Sequence, residues 1–458
     1  MVSMSGDGLN GRTPADILAL AERVLRFART ESPTEVEVMA MADEGSLTRF
    51  ANSEIHQNVA ESNVQVNLRF VIGKRVGVAS TNRFDDEGLR RLAERAAAIA
   101  RNSEELEDWG GLPEPTPISD VPDGYAEATA GATPELRAEG VRAVIAAADT
   151  AGVVSYGSFS TATETLGIAN SKGVRASQRR TVSQLLTVAM APDGGSGYAE
   201  SAAVDVTGID AAEIGRQAAE KARATGNPIA VDPGEWPVVL EEYAVVDLLS
   251  MLGYMGFSAL AVQEERSFSE PGRRVGSDLV SIVDDGHDPE TLPMAFDYEG
   301  VAKERVSLID HGLCRDVVFD AQTAARAGRA STGHGLPAPN PYGPFPLNMA
   351  MAAGETPRDE LVRGLDRGLL VTRFHYTNPV HPKLAIVTGM TRDGTFYVED
   401  GRIVGPVRNL RFTQSYLEAL AATSAVSRER RTLKGDFGGV LVPAIRVDSW
   451  NFTGATEH

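Results

Sequence analysis

The chain of 458 residues contains one cysteine, Cys314, so it forms no internal disulfide and carries no mark of an oxidising compartment. It also lacks any excess of positive charge. Lys and Arg number 44 against 63 Asp and Glu, a formal net charge of −19. Phosphate backbones are bound by clustered Lys and Arg, so this balance argues against nucleic acid. It argues against an anionic membrane surface for the same reason, and its plain role is solubility. No apolar run approaches the ~18 residues a membrane helix needs. The first residues, MVSMSGDGLNGRTPAD, hold no apolar core of a secretory signal, and the expectation is a cytoplasmic protein. No P-loop occurs, no GxGxxG follows a strand, and no GxSxG elbow is present. There is no internal repeat and no low-complexity tract.

What is present suits a globular chain of two or three domains, with 42% hydrophobic residues. Residues 1–12 are Gly-rich and polar and are expected to be disordered. Thr13-Pro14 gives an N-cap followed by proline at the first helical position, and Ala15–Arg29 then carries an apolar face. Strands are expected at Glu35–Ala42, Leu47–Ala51 and Glu54–Asn58, and a hairpin at Val64–Val71 and Arg75–Ser80 across Gly73-Lys74. Asp85–Arg101 reads as an amphipathic helix. Ser103–Tyr125, with Pro113, Pro115, Pro117 and Pro122, reads as a linker or long surface loop. Pro134–Ala151 and Asp210–Thr225 read as helices. Between them Val153–Thr161, Thr163–Asn170, Arg175–Gln178 and Val182–Ala191 suggest an antiparallel meander.

Pro233-Gly234 opens a second half. Gly276–Asp285 reads as a strand, and Gly300–Leu308 pairs with Leu313–Phe319 across Asp310-His311-Gly312. Strands are further expected at Leu369–Phe374, Leu384–Thr388, Thr395–Val398, Arg402–Pro406 and Pro443–Ser449. Ser415–Ser424 reads as a helix, and Leu336–Pro346 is irregular. The fold class is α+β: a mixed N-terminal half with antiparallel sheet, and a mainly β C-terminal half. The expected divisions are 1–125, 126–232 and 233–458.

The most informative stretch is Val238–Gly256, VVLEEYAVVDLLSMLGYMG. A short strand, Pro237–Leu240, leads into a helix with Tyr243, Val246, Leu249, Leu252 and Gly253 at helical spacing. Read by itself, this is a core helix whose methionines fill gaps. The run LLSMLGYMG resembles the zinc helix of the TldD/TldE (PmbA) family of metallopeptidases. In the catalytic branch that helix carries His-Glu, three residues, then His. Those positions fall on Ser250, Met251 and Met255. Gly167–Ser177 (GIANSKGVRAS), the block from Phe296 to Gly328, and Ser331–Gly335 (STGHG) are similar to the family as well. The arrangement before residue 101 also resembles the family's N-terminal domain.

A catalytic zinc takes about three protein ligands, leaves one position for water, and has a carboxylate nearby as base. A serine hydroxyl is a poor ligand for it, a thioether favours Cu(I), and Met251 has no titratable group. The catalytic branch also draws a third ligand from a cysteine near its C-terminus, and Gly435–Val442 has none. The resemblance is therefore to the TldE branch. It implies no metal in this chain, zinc in a TldD-like partner subunit, a peptide substrate, and a homodimer when the chain is alone, with Ser250, Met251 and Met255 lining a cavity. An alternative from another class is a homodimeric peptide-binding or natural-product tailoring protein without proteolysis.

Other constellations carry less. His375 and His381 are the one close histidine pair, but Pro379 between them rules out a helical zinc motif. They read as a substrate-cleft or metal contact at a strand end, or as a turn. His334 lies between two glycines, where backbone can approach a ligand or form a tight turn. A metalloenzyme built on His334, His375 or His381 is a third reading. Cys314 in an apolar pattern reads as a buried thiol. Asp284, Asp285 and Asp297 could hold a hard cation or face solvent.

Overall fold

The computed structural model describes residues 13–121, 124–435 and 438–455. The expectation for residues 1–12 lies outside the described residues.

The first half runs α1 (Pro14–Arg29), β1 (Glu35–Ala51), β2 (Glu54–Ile72), β3 (Arg75–Thr81), α2 (Asp86–Asn102), α3 (Glu127–Ala130), α4 (Pro134–Ala151), β4 (Val154–Asn170), β5 (Arg175–Met190), β6 (Ser196–Ala203) and α5 (Ala211–Ala224). Thr13 caps α1 in a capping box with Asp16, as Thr-Pro at this point leads one to expect. The strands form one antiparallel sheet ordered β3-β2-β1-β4-β5-β6. It is two meanders joined where β1 pairs with β4.

The strands are longer than expected. Leu47–Ala51 belongs to β1, Glu54–Asn58 belongs to β2, and the two expected strands of each of β4 and β5 are one. Polar residues such as Asp43 and Arg180, between the expected strands, interrupt the apolar alternation. The ladders continue through them because the backbone stays paired with neighbouring strands, Asp43 with Asn63 and Glu164, and Arg180 with Glu164. The β6 strand is not expected from the sequence, because its small and polar residues give no apolar run.

Register sorts this sheet into two faces. On one, Val36, Val38, Ala40 and Leu68 pack under α1 and α2, and Phe159, Leu185 and Ala199 pack under α4 and α5. On the other, Met39, Leu166 and Ile168 pack against Phe296 from the second half.

The second half runs β7 (Gly234–Leu240), α6 (Glu242–Met255), α7 (Ala259–Gln263), β8 (Ile282–Asp284), β9 (Val306–Asp310), β10 (Leu313–Cys314), α8 (Ala321–Ala327), β11 (Met349–Met351), α9 (Arg358–Arg363), β12 (Arg367–His381), β13 (Ile386–Glu399), β14 (Arg402–Pro406), β15 (Leu410–Ser415), α10 (Tyr416–Ala421), β16 (Thr423–Lys434) and β17 (Gly439–Ala455). Its strands make an eleven-stranded sheet. The path β17-β15-β13-β12-β7 closes on itself, because β7 pairs with both β12 and β17. Closure removes edges. Trp450, Phe412, Phe374 and Tyr416 fill this region, with Phe374 stacked on Trp450 at 4.9 Å between ring centroids.

Several expectations are corrected here. Strand structure at Gly276–Asp285 shrinks to Ile282–Asp284, and the hairpin at His311 to two short strands. Ser415–Ser424 is helical only over Tyr416–Ala421, and β16 begins at Thr423. β12 continues through His375–His381, where a turn was one reading. It does so through register shifts and with Tyr376 at φ +55°, and these let the sheet accept Pro379.

Candidate functional site

The α6 helix starts on paired acids. Glu241 and Glu242 are buried at its first turn, where a helix dipole favours negative charge. Arg358 reaches Glu242 at 2.7 Å and Glu241 at 3.1 Å, and Lys221 lies 2.5 Å from Glu241. Burial alone would raise the Glu241 carboxyl, but the Lys221 and Arg358 charges hold it at about 2. The helix ends at Gly256, where a Cβ would stand 2.2 Å from the Phe268 ring. Its inward face is Ala244, Val245, Leu248, Leu249 and Leu252. Val246, expected on that face, is only partly buried. Tyr243 faces the first sheet instead: its hydroxyl takes a 2.6 Å bond from Arg431, and its ring lies edge-on to Tyr198 on β6.

On this helix Ser250 and Met251 are half-buried, Met251 packs on the core, and Met255 is wholly enclosed in it. A Cβ on Gly435 would stand 3.9 Å from Ser250 Oγ. The fold thus brings the start of Gly435–Val442 beside the helix, although it lies far along the chain from Ser250. A hydroxyl, two thioethers and a glycine do not fit zinc, which takes imidazole, thiolate or carboxylate. Among the described residues no group of three or more His, Cys, Asp and Glu is placed to hold a metal ion.

Asp284 and His334 come together in a buried network. His334 Nε2 lies 2.7 Å from Asp284 Oδ1, and Lys303 Nζ lies 2.9 Å from the same oxygen. The Asn348 amide donates to Asp284 Oδ2 at 2.7 Å, and Thr332 Oγ1 is 2.9 Å from His334 Nδ1. Burial lowers the His334 pKa, and Lys303 lowers it further. A neutral imidazole that donates from Nε2 to Asp284 and accepts at Nδ1 from Thr332 fits both His334 contacts. Asp285 lies at the edge of this group, facing Arg305.

His375, His381 and Cys314 are apart from it, while Asp297 is near enough for its charge to act on Lys303. His375 is half-buried, edge-on to Tyr376, while His381 is exposed. Cys314 is buried in β10, and burial pushes its thiol up. Asp297 is buried, with its carboxylate taking amide hydrogens from Glu299, Val301 and Gly335. Beside it Glu299 and Glu37 share Arg69, each at 3.1 Å.

Two charged groups at the junction of the halves had no signal in the sequence. One is the Glu37–Arg69–Glu299 cluster. The other is Asp43, Glu164, Arg180 and Tyr298 around a cavity of about 350 Å³. In both, the partners come from different strands and from the second half, so only pairing register brings them together. A cavity of about 600 Å³ lies beside α6, floored by Val239, Leu370 and Phe396 and rimmed by Lys221, Glu241 and Arg358.

This architecture agrees with what comparison finds. Domain descriptions of the PmbA/TldA metallopeptidases match in chain order: domain 1 over 36–100, the central domain over 124–225, and the C-terminal domain over 233–454. The chain belongs to this PmbA/TldD family. TldE from Thermococcus kodakarensis has the same fold, with a TM-score of 0.87 over 95% of this chain and 100% of that one, at 22% identity. A metalloprotease TldD homolog from Haemophilus influenzae is 25% identical over 260 residues, 52% of each chain. One from Buchnera aphidicola is 25% identical over 170 residues, 36% of this chain and 34% of that one. The matches therefore span between a third and about half of the length of these curated relatives.

Proposed function

We propose that this chain is the subunit without zinc in a TldD/TldE-type metallopeptidase complex that acts on peptides in the cytoplasm. A TldD-like partner supplies the metal. The observation that carries the reading is the side-chain set at one place: Ser250, Met251 and Met255 on α6, with Gly435 beside Ser250. Where the resemblance implies imidazoles, a carboxylate base and a thiolate, this chain has groups that neither hold zinc nor remove a proton from water. The helix keeps its packing role, since Leu248, Leu249, Leu252 and Met255 belong to the core. The reading includes a division into segments 1–125, 126–232 and 233–458, and self-pairing when no partner is present.

The test is co-purification from the native host with metal analysis of each chain, followed by peptide cleavage assays on each chain alone and together. The expected result is zinc in the partner and cleavage only when that partner is present. Tightly held zinc in this chain, with chelator-sensitive cleavage by it alone, overturns the reading. A stable complex with itself and no zinc-bearing relative in the host supports the peptide-binding alternative.

A further inference from the structure

The face of the first sheet turned away from α1, α2, α4 and α5 is only half covered. Phe296 packs on Met39, Leu166 and Ile168, and Tyr298 closes the edge of that contact. Beyond Tyr298 lies the cavity of about 350 Å³, walled on the sheet by Asp43, Glu164 and Arg180 and opposite by Leu292, Pro293 and Lys434. A second cavity of about 430 Å³ shares Ala162, Val182 and Lys434 with it, and runs on past Gly45 and Leu47. The two form one groove along β1, β4 and β5.

Register sets its chemistry. Asp43 pairs with Glu164 across β1 and β4, and Glu164 pairs with Arg180 across β4 and β5. Arg180 is committed: Nε donates to Glu164 at 2.7 Å, and Nη2 donates to the Tyr298 hydroxyl at 2.9 Å. The Asp43 side chain makes no hydrogen bond or ion pair with the described residues, and neither does the Lys434 side chain at the exposed rim. Carboxylates directly opposite each other repel. Burial, and after it the Glu164 charge, pushes Asp43 up to about 6. The groove floor therefore holds two acids for one guanidinium, with acceptor oxygens unfilled, and the net charge of −19 favours approach of cations.

We propose that this cavity binds a primary ammonium group of a peptide between the Asp43 and Glu164 carboxylates. Lys434 then faces a carbonyl or carboxylate further along the bound chain. An ammonium brings three donors to the unfilled acceptors, in charge-assisted bonds. The apolar wall of Leu292, Pro293 and Val182 takes the flanking side chain, and the volume is that of a small-ligand site. The proposal rests on the reading of this chain as one that handles peptides, and it names which end or side chain is gripped.

The test is calorimetric titration of the full chain with four probes. These are an apolar tetrapeptide amide with a free N-terminus, its N-acetyl form, an N-acetyl form carrying one lysine, and alanine amide. The free-amine peptide is expected to bind. Acetylation, or the isosteric Asp43→Asn, is expected to weaken binding about tenfold or more. Recovery by the lysine peptide identifies a side-chain ammonium as an accepted source. No recovery restricts the site to the N-terminus, and both results support the proposal. Affinity is expected to fall as pH drops below about 6, where Asp43 takes up a proton while the amine stays charged. This wild-type profile tests the site even if the variant does not fold. Equal binding of free and acetylated peptides, or a flat pH profile, overturns the ammonium site and leaves the peptide reading intact. Alanine amide bound in an Asp43-dependent way with no tetrapeptide bound keeps the site and removes the peptide reading. No binding of any probe overturns the proposal.

Discussion

His334 Nε2 lies 2.7 Å from Asp284 Oδ1, and neither side chain reaches solvent. Lys303 shares that oxygen, so one carboxylate holds a cation and an imidazole from two other segments. A charge buried this fully persists only when paired. The first prediction concerns stability. Asp284→Asn leaves buried Lys303 without its directly bonded counter-ion and is expected to cost about 3–5 kcal/mol. His334→Ala removes one charge-assisted bond and is expected to cost about 2–3 kcal/mol. Urea unfolding reads both, and a cost below about 1 kcal/mol for Asp284→Asn contradicts the network's structural role.

The second prediction is a pH dependence. Glu37, Glu299 and Asp297 crowd one guanidinium, Arg69, with Asp320 nearby. Burial, and after it the neighbouring carboxylates, pushes Glu37 up to about 8 against the pull of Arg69. Burial and Glu299 push Asp297 up to about 7. A carboxyl whose pKa is raised on folding binds more protons folded than unfolded across that window. Its stabilising contribution is complete below the unfolded pKa and is lost as pH rises through the folded one. Stability should therefore fall between pH about 5 and about 8 through these groups. Glu37→Gln should flatten that fall in thermal melts. An unchanged slope in the variant refutes the assignment.

The third prediction tests the metal-free reading. The pure chain should retain no stoichiometric zinc after dialysis. Ser250→His with Met251→Glu and Met255→His should bind zinc only weakly, because a third ligand is still missing. Adding Gly435→Cys, whose Cβ would stand near Ser250 Oγ, should tighten binding, although it presses on the Val440 side chain at 2.9 Å. Metal analysis with a competing chelator measures each step. Tight zinc in the unmodified chain defeats the reading.

The fourth prediction separates packing from chemistry at one motif position. Met255 is fully buried. Met255→Ala should cost about 2–5 kcal/mol, and Met255→Leu less than about 1.5 kcal/mol. Equal tolerance of both in denaturant unfolding would show that the position is not core.

Much of this was legible in the sequence because it rests on local rules. Thr13-Pro14 marked the first helix start, Gly73-Lys74 marked a hairpin, and the run to Gly256 marked a helix and its family. Strand lengths were less legible. Asp43 and Arg180 break an alternating pattern, yet pairing with neighbouring strands carries β1 and β5 through them.

The sequence by itself determined which side chains could do chemistry at α6: Ser250, Met251 and Met255 are fixed by their identity, and no fold turns a thioether into a base. Tertiary structure alone decided what surrounds them and what else is assembled. Gly435 beside Ser250, His334 on Asp284, and Asp43 facing Glu164 are contacts between segments far apart in the chain. Such contacts depend on strand register and domain packing, where a shift of one residue turns every side chain to the opposite face.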